Sequence, residues 1–331
     1  MSQAAPYTAQ RLTVDGIAIV RLSDAARKME VSVAPSLGNK AYEMKIGGAS
    51  ILYTPYRTLG ELAAKPAMAG NPFLAPWANR IDQDAYWANG KKYLLNPDLG
   101  NLRYDGNHKP IHGLLVYAKD WKVVAAQADE HAAWVTSRLE FWRHPEWMAQ
   151  FPFAHTIEMT YRLADGMLEV RTSIENLSNE PMPLVIGFHT YYQLPGVPRD
   201  SWEVHVAAQE HVELSSILTP TGERKPVHLP DPLTLKGTQL DDVFTGLKRD
   251  SDQRAEFWVK GGGRKISVLY GRQYIVAVVY APPGHDFICF EPMTGVTNGF
   301  NLAHEGKYGE LQSIAPHQTW AESFWIKPSG F

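Results

Sequence analysis

The sequence predicts an all-β protein, a large antiparallel β-sandwich with few short helices. Three observations support this fold class. Apolar and polar residues alternate with a period of two along many short segments, turn residues recur at short intervals, and helical periodicity is scarce. The 331 residues include 26 glycines and 23 prolines spread along the chain, and no linker-like stretch divides it. We therefore expect a single domain over residues 1–331, because all-β folds are often longer than an average domain.

Two alternating segments predict β-hairpins. Residues 11–24 alternate around Asp15-Gly16, and residues 156–178 alternate around Asp165-Gly166. Asp-Gly suits a two-residue turn because both positions accept left-handed backbone angles. Further half-buried strands are predicted within residues 132–142, 202–208 and 255–270, the last interrupted by three glycines at 261–263.

Helical patterns are few. Residues 58–70 predict one short helix, which Pro66 should end or kink because proline cannot continue the backbone hydrogen-bond ladder.

Charge and cysteine content restrict the class of partner. The net charge is −3, which gives no electrostatic reason to expect nucleic acid or an anionic membrane surface. The chain has one cysteine, so an intrachain disulfide is impossible, and this suits a reducing compartment. The first residues lack the apolar core of a signal peptide, and the longest apolar run is far too short to span a membrane. We expect a cytoplasmic protein with no nucleic-acid or membrane partner.

Three apparent motifs are better explained by structure than by chemistry. Residues 261–265 (GGGRK) lack the spacing of a phosphate-binding loop and lie between strands, so a hairpin turn is the better interpretation. His108 and His112 have the spacing of helical zinc ligands, but Pro110 between them argues against a helix. Cys289 follows apolar neighbours and is expected to be a small buried residue. We therefore predict no metal site and no cofactor.

Five segments carry polar residues that a scaffold does not require. They read APWANRIDQ, KPIHGLLVYAKDW, LVIGFHTYYQLPG, LDDVFTG and HDFICFEPMTG. The candidate functional residues in them are Asn79, Arg80, His112, His189, Asp241 and Glu291.

Each candidate has a structural alternative. Glu291 ends the apolar run FICF, where a carboxylate is costly to bury unless it is paired or used. His189 alone could be a core histidine, Arg80 a structural ion pair, His112 a turn cap and Asp241 part of a solvated loop. Together, however, a histidine and a partly buried glutamate suit acid–base chemistry near neutral pH, because burial raises the proton affinity of the carboxylate. The remaining groups suit hydrogen bonding to sugar hydroxyls.

The order and spacing of these segments resemble the aldose 1-epimerase (galactose mutarotase-like) family. The matching stretches are ANRI (78–81), IHG (111–113), FHTYYQL (188–194), DDVF (241–244) and FEPMTG (290–295), so the resemblance covers about residues 75–295. This sequence departs from the family pattern at three positions. Phe188 stands where the family often has asparagine, Leu114 where it commonly has glycine, and Asp242 where histidine is frequent.

The resemblance implies a sandwich with its sugar site on the concave face, and an isomerase that interconverts the α and β anomers of a hexose. It implies His189 as general acid and Glu291 as general base. Arg80, His112, Asp241 and, more weakly, Asn79 would bind the monosaccharide substrate. The protein would act as a monomer or homodimer without a cofactor.

Three alternatives stay open on sequence alone. A hexose-6-phosphate mutarotase of the same fold would need basic residues at one rim of the site, and Arg80, Arg103 and Lys109 are the nearest in sequence. A non-catalytic sugar-binding protein would keep the binding residues without needing Glu291. A polysaccharide lyase or hydrolase would need a long open groove.

Overall fold

The computed structural model describes residues 6–331, and in this range it confirms an all-β antiparallel fold. The described residues form three short α-helices, α1 (Leu59–Ala64), α2 (Pro145–Met148) and α3 (Gly299–His304). Short 3-10 turns lie at Pro35–Leu37, Pro97–Leu99, Phe141–Arg143 and Arg199–Ser201. The strands are β1 (Tyr7–Val14), β2 (Ile17–Asp24), β3 (Met29–Ala34), β4 (Lys40–Ile46), β5 (Ala49–Ser50), β6 (Phe73–Leu74), β7 (Ala85–Ala88), β8 (Lys91–Leu94), β9 (Lys122–Ala128), β10 (Ala133–Glu140), β11 (His155–Ala164), β12 (Met167–Asn176), β13 (Met182–Leu184), β14 (Gly187–Phe188), β15 (Thr190–Tyr192), β16 (Glu203–His205), β17 (Ala208–Leu214), β18 (Pro220–Pro226), β19 (Leu233–Thr234), β20 (Leu240–Leu247), β21 (Ala255–Gly261), β22 (Arg264–Tyr270), β23 (Val276–Ala281), β24 (Ile288–Met293), β25 (Gln312–Ile314) and β26 (Thr319–Ser329).

Both predicted hairpins form at the expected turns. The strands β1 and β2 pair from Val14 opposite Ile17, and β11 and β12 pair in the same way around Asp165-Gly166. The aspartate and glycine of each turn have positive φ, the geometry that matches the twist of the flanking strands. The third predicted turn is narrower than expected, because Gly261 still pairs with Arg264 and only residues 262–263 form the connection.

The other predicted elements are also confirmed. Strand β10 lies within residues 132–142, and β16 lies within residues 202–208. Helix α1 begins with a capping box, in which the Thr58 side chain and the Glu61 side chain bind each other's backbone N–H groups. It ends at Ala64, two residues before Pro66, as the proline requires. In residues 6–331 we find no helix with the length and apolar character needed to cross a membrane.

Two large antiparallel sheets carry the fold. One has nine strands in the order β19-β16-β21-β22-β26-β12-β11-β10-β9. The other follows the order β18-β17-β20-β23-β24-β14-β6, with β15 also pairing with β24. A third sheet joins β1 to β5 in sequential order, and two-stranded ladders join β7 to β8 and β13 to β25.

The two large sheets pack face to face. The Phe188 ring of β14 lies 4.8 Å from Phe324 of β26, and Phe290 of β24 lies 6.2 Å from Phe257 of β21. These side chains belong to one large buried apolar cluster that includes residues of both sheets. Because neighbouring residues of a strand point to opposite faces, Glu291, which follows Phe290, points away from this core. The outer face of the second sheet therefore holds the polar side chain that the sequence singled out.

Candidate active site

The six candidate residues line one cavity of about 220 Å³. This volume lies below the roughly 300–1,000 Å³ of pockets that hold drug-sized molecules, so it suits a single small ring rather than an extended chain. The wall mixes polar groups with aromatic and aliphatic side chains, which fits a ligand with both hydroxyls and C–H faces. The remaining lining residues are Ile111, Tyr191, Leu214, Leu218, Val243, Val278, Tyr280 and Thr297.

His189 and Glu291 contact each other in the lining of this cavity. His189 lies at the junction between β14 and β15, and its backbone N–H donates to the carbonyl of Pro72. Its Nε2 atom is 3.3 Å from Oε1 of Glu291, and the two side chains are 10% and 1% exposed. In the described residues, Nδ1 of His189 and Oε2 of Glu291 have no hydrogen-bond partner. Such buried unpaired atoms are unusual in scaffold and are available to a ligand.

Burial moves the proton affinities of this pair in opposite directions. It raises the pKa of Glu291 well above the usual range, and the nearby Asp241 carboxylate adds to the effect while Arg80 opposes it. Burial lowers the pKa of His189 to about 3, and the charges of Arg103 and Arg80 add to the effect. Burial therefore favours two neutral partners, with the proton that they share on the carboxyl group.

Arg80 lines the cavity and forms an ion pair with Asp105. Its Nε donates to Oδ2 of Asp105 over 2.6 Å. Burial opposes ionisation of Asp105, but hydrogen bonds from the Lys109 N–H, the Arg80 guanidinium and the Asn107 N–H hold the pKa of this carboxyl below its usual value. Arg80 thus lines the cavity and also belongs to an ion pair, so a role in ligand binding and a role in a structural ion pair are compatible.

His112 and Asn79 come from two loop segments bound to each other. The His112 N–H donates to the carbonyl of Asn79, and Arg80 and Ile111 form an isolated antiparallel bridge. No helix connects residues 108 and 112, as Pro110 predicts. Both His112 and Asn79 have positive φ, of 62° and 53°. Non-glycine residues adopt this conformation at an energetic cost, and such strain often accompanies functional sites.

Asp241 and Asp242 lie on strand β20 and not in a solvated loop. Asp241 faces the cavity and is paired across the sheet with Tyr280, another cavity residue. Asp242 points the other way and binds His211, with 2.7 Å between Oδ1 and Nε2. Burial, opposed by Arg80 and supported by Asp242, raises the pKa of Asp241. The aspartate at 242 therefore does not change the cavity wall.

The other two departures from the family pattern are also removed from the cavity wall. Phe188 is fully buried between the sheets, next to Phe73 and Phe324. Leu114 packs at the edge of the core, and its N–H donates to the carbonyl of Ala75. Neither side chain lines the cavity.

Several cavity residues escaped the sequence analysis. The ring of Tyr191 stacks on His189 at 4.7 Å, and Tyr280 approaches the same imidazole edge-on at 5.9 Å. Tyr191 could have been found, because it lies two residues after His189 and so on the same face of an extended chain. Tyr280, Leu214, Leu218 and Thr297 carry no comparable signal, and neither does Asp105 beneath Arg80.

Cys289 is buried and free, as the sequence predicts. It lies two residues before Glu291 on β24, so the two side chains share a face. One ligand atom each from Cys289, Glu291 and His189 lie within 4.8 Å of one another, and these are the residues of the site that could hold a metal ion.

Comparison with known proteins finds a matching family model and solved structures with a similar fold. A sequence model described as aldose 1-epimerase matches residues 49–327. A galactose mutarotase-like protein from Clostridium acetobutylicum superposes with a TM-score of 0.87 at 20% identity, covering 99% of this chain and 100% of that chain. A protein from Synechocystis superposes with a TM-score of 0.75 at 24% identity, covering 97% and 99%. A galactose 1-epimerase from Lactobacillus acidophilus superposes with a TM-score of 0.76 at 14% identity, covering 98% and 99%.

Proposed function

The chain belongs to the aldose 1-epimerase family, and we propose that it is a mutarotase that interconverts the α and β anomers of a neutral aldohexose. One observation carries the proposal. An imidazole and a carboxyl group, 3.3 Å apart and almost completely buried, line the same small cavity, and each has one polar atom without a hydrogen-bond partner among residues 6–331. Anomer exchange requires one group that accepts a proton and one that donates a proton, and such a pair supplies both.

In the proposed reaction, Glu291 takes the proton of the C1 hydroxyl while His189 gives a proton to the ring oxygen. The C1–O5 bond breaks, and the ring opens to the aldehyde. Rotation about the C1–C2 bond presents the other face, and the reverse proton transfers close the ring. Protons are all that passes between sugar and protein in this mechanism, so it needs no cofactor.

The proton shared by the pair must be on the imidazole when Glu291 acts as base. Burial by itself favours this proton on the carboxyl group. Sugar hydroxyls that donate to Glu291 stabilise its ionised form, because hydrogen bonds to a carboxylate favour the charged state. The 3.3 Å contact then lets the proton pass to His189 without leaving the pair. Substrate binding thus prepares the acid and the base together.

The remaining candidates bind and orient the sugar in this proposal. Arg80, His112 and Asn79 would donate to hydroxyl oxygens, and Asp241 would accept from a hydroxyl group. The rings of Tyr280 and Tyr191 offer apolar faces to the sugar C–H groups, the usual role of aromatic rings in such pockets.

A neutral sugar fits this cavity better than a hexose phosphate. Arg80 is already paired with Asp105, and Lys109 Nζ donates to the carbonyl of Asp82 at 2.8 Å. Arg103 lies over the Tyr117 ring and does not line the cavity. The basic residues that a phosphate would need are therefore engaged elsewhere, while the carboxyl group of Asp241 faces the ligand.

Polarimetry tests the proposal directly. Fresh α-glucose and α-galactose are followed to anomeric equilibrium with wild type, Glu291→Gln and His189→Asn. A positioned acid or base contributes about 10²–10⁴-fold, so each variant should lose at least about a hundredfold in kcat with a smaller change in KM.

His205→Asn is the matched control. His205 also contacts a carboxylate, with 2.6 Å between Nδ1 and Oδ1 of Asp231, but it lies outside the cavity. Its substitution should leave the rate unchanged. A folded Glu291→Gln protein with the wild-type rate would remove the mechanism. Faster turnover of glucose 6-phosphate than of glucose would replace the neutral substrate by a phosphorylated one.

The proposal also includes a cytoplasmic location and a protein that works as a monomer or homodimer. The single cysteine, which cannot form an intrachain disulfide, supports the reducing compartment. Light scattering on the purified protein distinguishes the two states.

A further inference from the structure

We propose that two residues of the cavity lining, His189 and Glu291, form a binding site for a thiophilic divalent cation such as Zn²⁺ together with the neighbouring buried Cys289. The one cysteine of the chain is not needed for the sugar chemistry, yet it lies beside the two groups that are. Ligand atoms of the three residues are within 4.8 Å of one another. The cation would therefore bind where the sugar is expected to react.

Strand geometry brings the three ligands together. Cys289 and Glu291 alternate with core residues on β24 and so point to the same outer face. The neighbouring strand β15 places Tyr191 opposite Cys289, and His189 precedes this strand. The backbone therefore sets the three side chains around one point without help from a flexible loop.

The donor atoms are available. Oε2 of Glu291 and Nδ1 of His189 have no hydrogen-bond partner in the described residues. The Cys289 thiol is free and fully buried. Each of the two residues that contact each other, His189 and Glu291, thus retains one atom that no contact within residues 6–331 satisfies.

The chemistry of this donor set selects a soft divalent ion. One thiolate, one imidazole and one carboxylate are the ligand types that zinc takes in proteins, and the two anionic ligands neutralise its charge in a buried place. Zinc–ligand bonds of about 2.0–2.3 Å put tetrahedral ligand atoms about 3.5 Å apart, so the three side chains need to close by roughly 1 Å. Binding displaces both the thiol proton of Cys289 and the carboxyl proton of Glu291 to solvent, and a water molecule would complete the tetrahedral coordination.

Metal and sugar would exclude each other, because both use His189 and Glu291. This consequence rests on the proposed function, whereas the metal site itself does not. Zn²⁺ should therefore inhibit anomer exchange competitively with the sugar. Cys289→Ala should keep the basal rate and lose the inhibition.

Cadmium titration tests the site without any activity measurement. The purified full-length protein is freed of metal by a chelator and titrated with Cd²⁺, while the ultraviolet thiolate-to-cadmium charge-transfer absorption is recorded. Because the chain has a single cysteine, the absorption reports on Cys289 alone. We expect saturation at one equivalent, displacement by Zn²⁺, no absorption with Cys289→Ala, and at least tenfold weaker binding with Glu291→Gln. Circular dichroism checks the fold of each variant, and Cys289→Ser replaces the alanine variant if that fails to fold.

Wild-type protein that shows no charge-transfer absorption with excess Cd²⁺, or equal affinity in Glu291→Gln, would overturn the site. Galactose is then added to the cadmium complex and should raise the apparent Kd for Cd²⁺. If the cadmium site is present but galactose leaves its affinity unchanged, the mutual exclusion is wrong and the metal site stands. Loss of the proposed function would instead show as wild-type polarimetric rates in metal-free Glu291→Gln.

Discussion

Asp105, a residue that does not touch the cavity, should control both the stability of the site and its affinity for sugar. Its Oδ2 accepts the Nε–H of Arg80 at 2.6 Å, and its Oδ1 accepts the backbone N–H groups of Asn107 and Lys109, each at 2.9 Å. The carboxylate therefore closes the turn at residues 105–109 and positions the guanidinium. In Asp105→Asn the amide presents oxygen to only one side, so either the arginine or the turn faces another donor.

The structure gives the magnitude. The side chains of Arg80 and Asp105 are 17% and 8% exposed, so water replaces their contact poorly. A hydrogen bond between charged groups in such a place is worth about 1.5–3 kcal/mol. We expect Asp105→Asn to lose about this free energy of unfolding. We also expect KM for the aldose to rise about tenfold while kcat changes little, because Arg80 would bind the sugar and does not take part in proton transfer.

Glu140→Gln provides the matched comparison. Glu140 accepts the Nε–H of Arg143 at 2.7 Å, but that pair is 56% exposed on the arginine side and should contribute no more than about 1 kcal/mol. Urea denaturation gives the stabilities, and polarimetry at varied sugar concentration separates KM from kcat. If Asp105→Asn loses no more free energy of unfolding than Glu140→Gln and keeps the wild-type KM, the argument that Asp105 positions Arg80 is wrong.

Three further predictions concern other parts of the molecule. Burial lowers the pKa of Lys40 from 10.5 to about 7. Between these pH values the unfolded chain binds one more proton than the folded chain, so the free energy of unfolding rises with pH. Lys40→Met should be more stable than wild type by up to about 4 kcal/mol near pH 7, and the urea midpoints of the two proteins should converge at about pH 10. Burial likewise lowers the pKa of His155 from 6.5 to about 4. The contribution of the neutral imidazole to stability is therefore complete above about pH 6.5 and is lost as the pH falls toward 4. Between about pH 7.5 and 5 the free energy of unfolding should fall by about 2 kcal/mol more in wild type than in His155→Phe, and an equal fall in both proteins would contradict this. Gly113→Ala would place a Cβ 2.2 Å from the Ala75 carbonyl oxygen at a φ of 62°, and it should lower the free energy of unfolding by several kcal/mol and remove most of the activity. Gly100→Ala is the control, because it has a similar φ but open space around it, and it should lower the free energy of unfolding by only about 1–2 kcal/mol. Equal decreases in melting temperature for both variants would show that the steric argument fails.

Local sequence patterns were sufficient for much of the fold. The alternation around Asp15-Gly16 and Asp165-Gly166 predicted two hairpins correctly, because the turn geometry depends on two adjacent residues. The helix before Pro66 was predicted for the same kind of local reason. The order of the strands within the large sheets could not be predicted from the sequence. Strand β26 pairs with β12 and β22, and no local sequence signal selects pairing partners so far away in the chain.

The sequence by itself determined the fold class, the short turns and the identity of the candidate residues, because alternation, turn chemistry and motif order are properties of neighbouring positions. Only the tertiary structure decided which groups meet. It placed Glu291 beside His189, set Asp105 beneath Arg80 and put Cys289 next to the acid–base pair. These contacts join residues from different strands and loops, and their burial depends on how the sheets pack. Since burial sets the proton affinity of a carboxyl or an imidazole, the chemistry of the pair comes from packing and not from residue type alone.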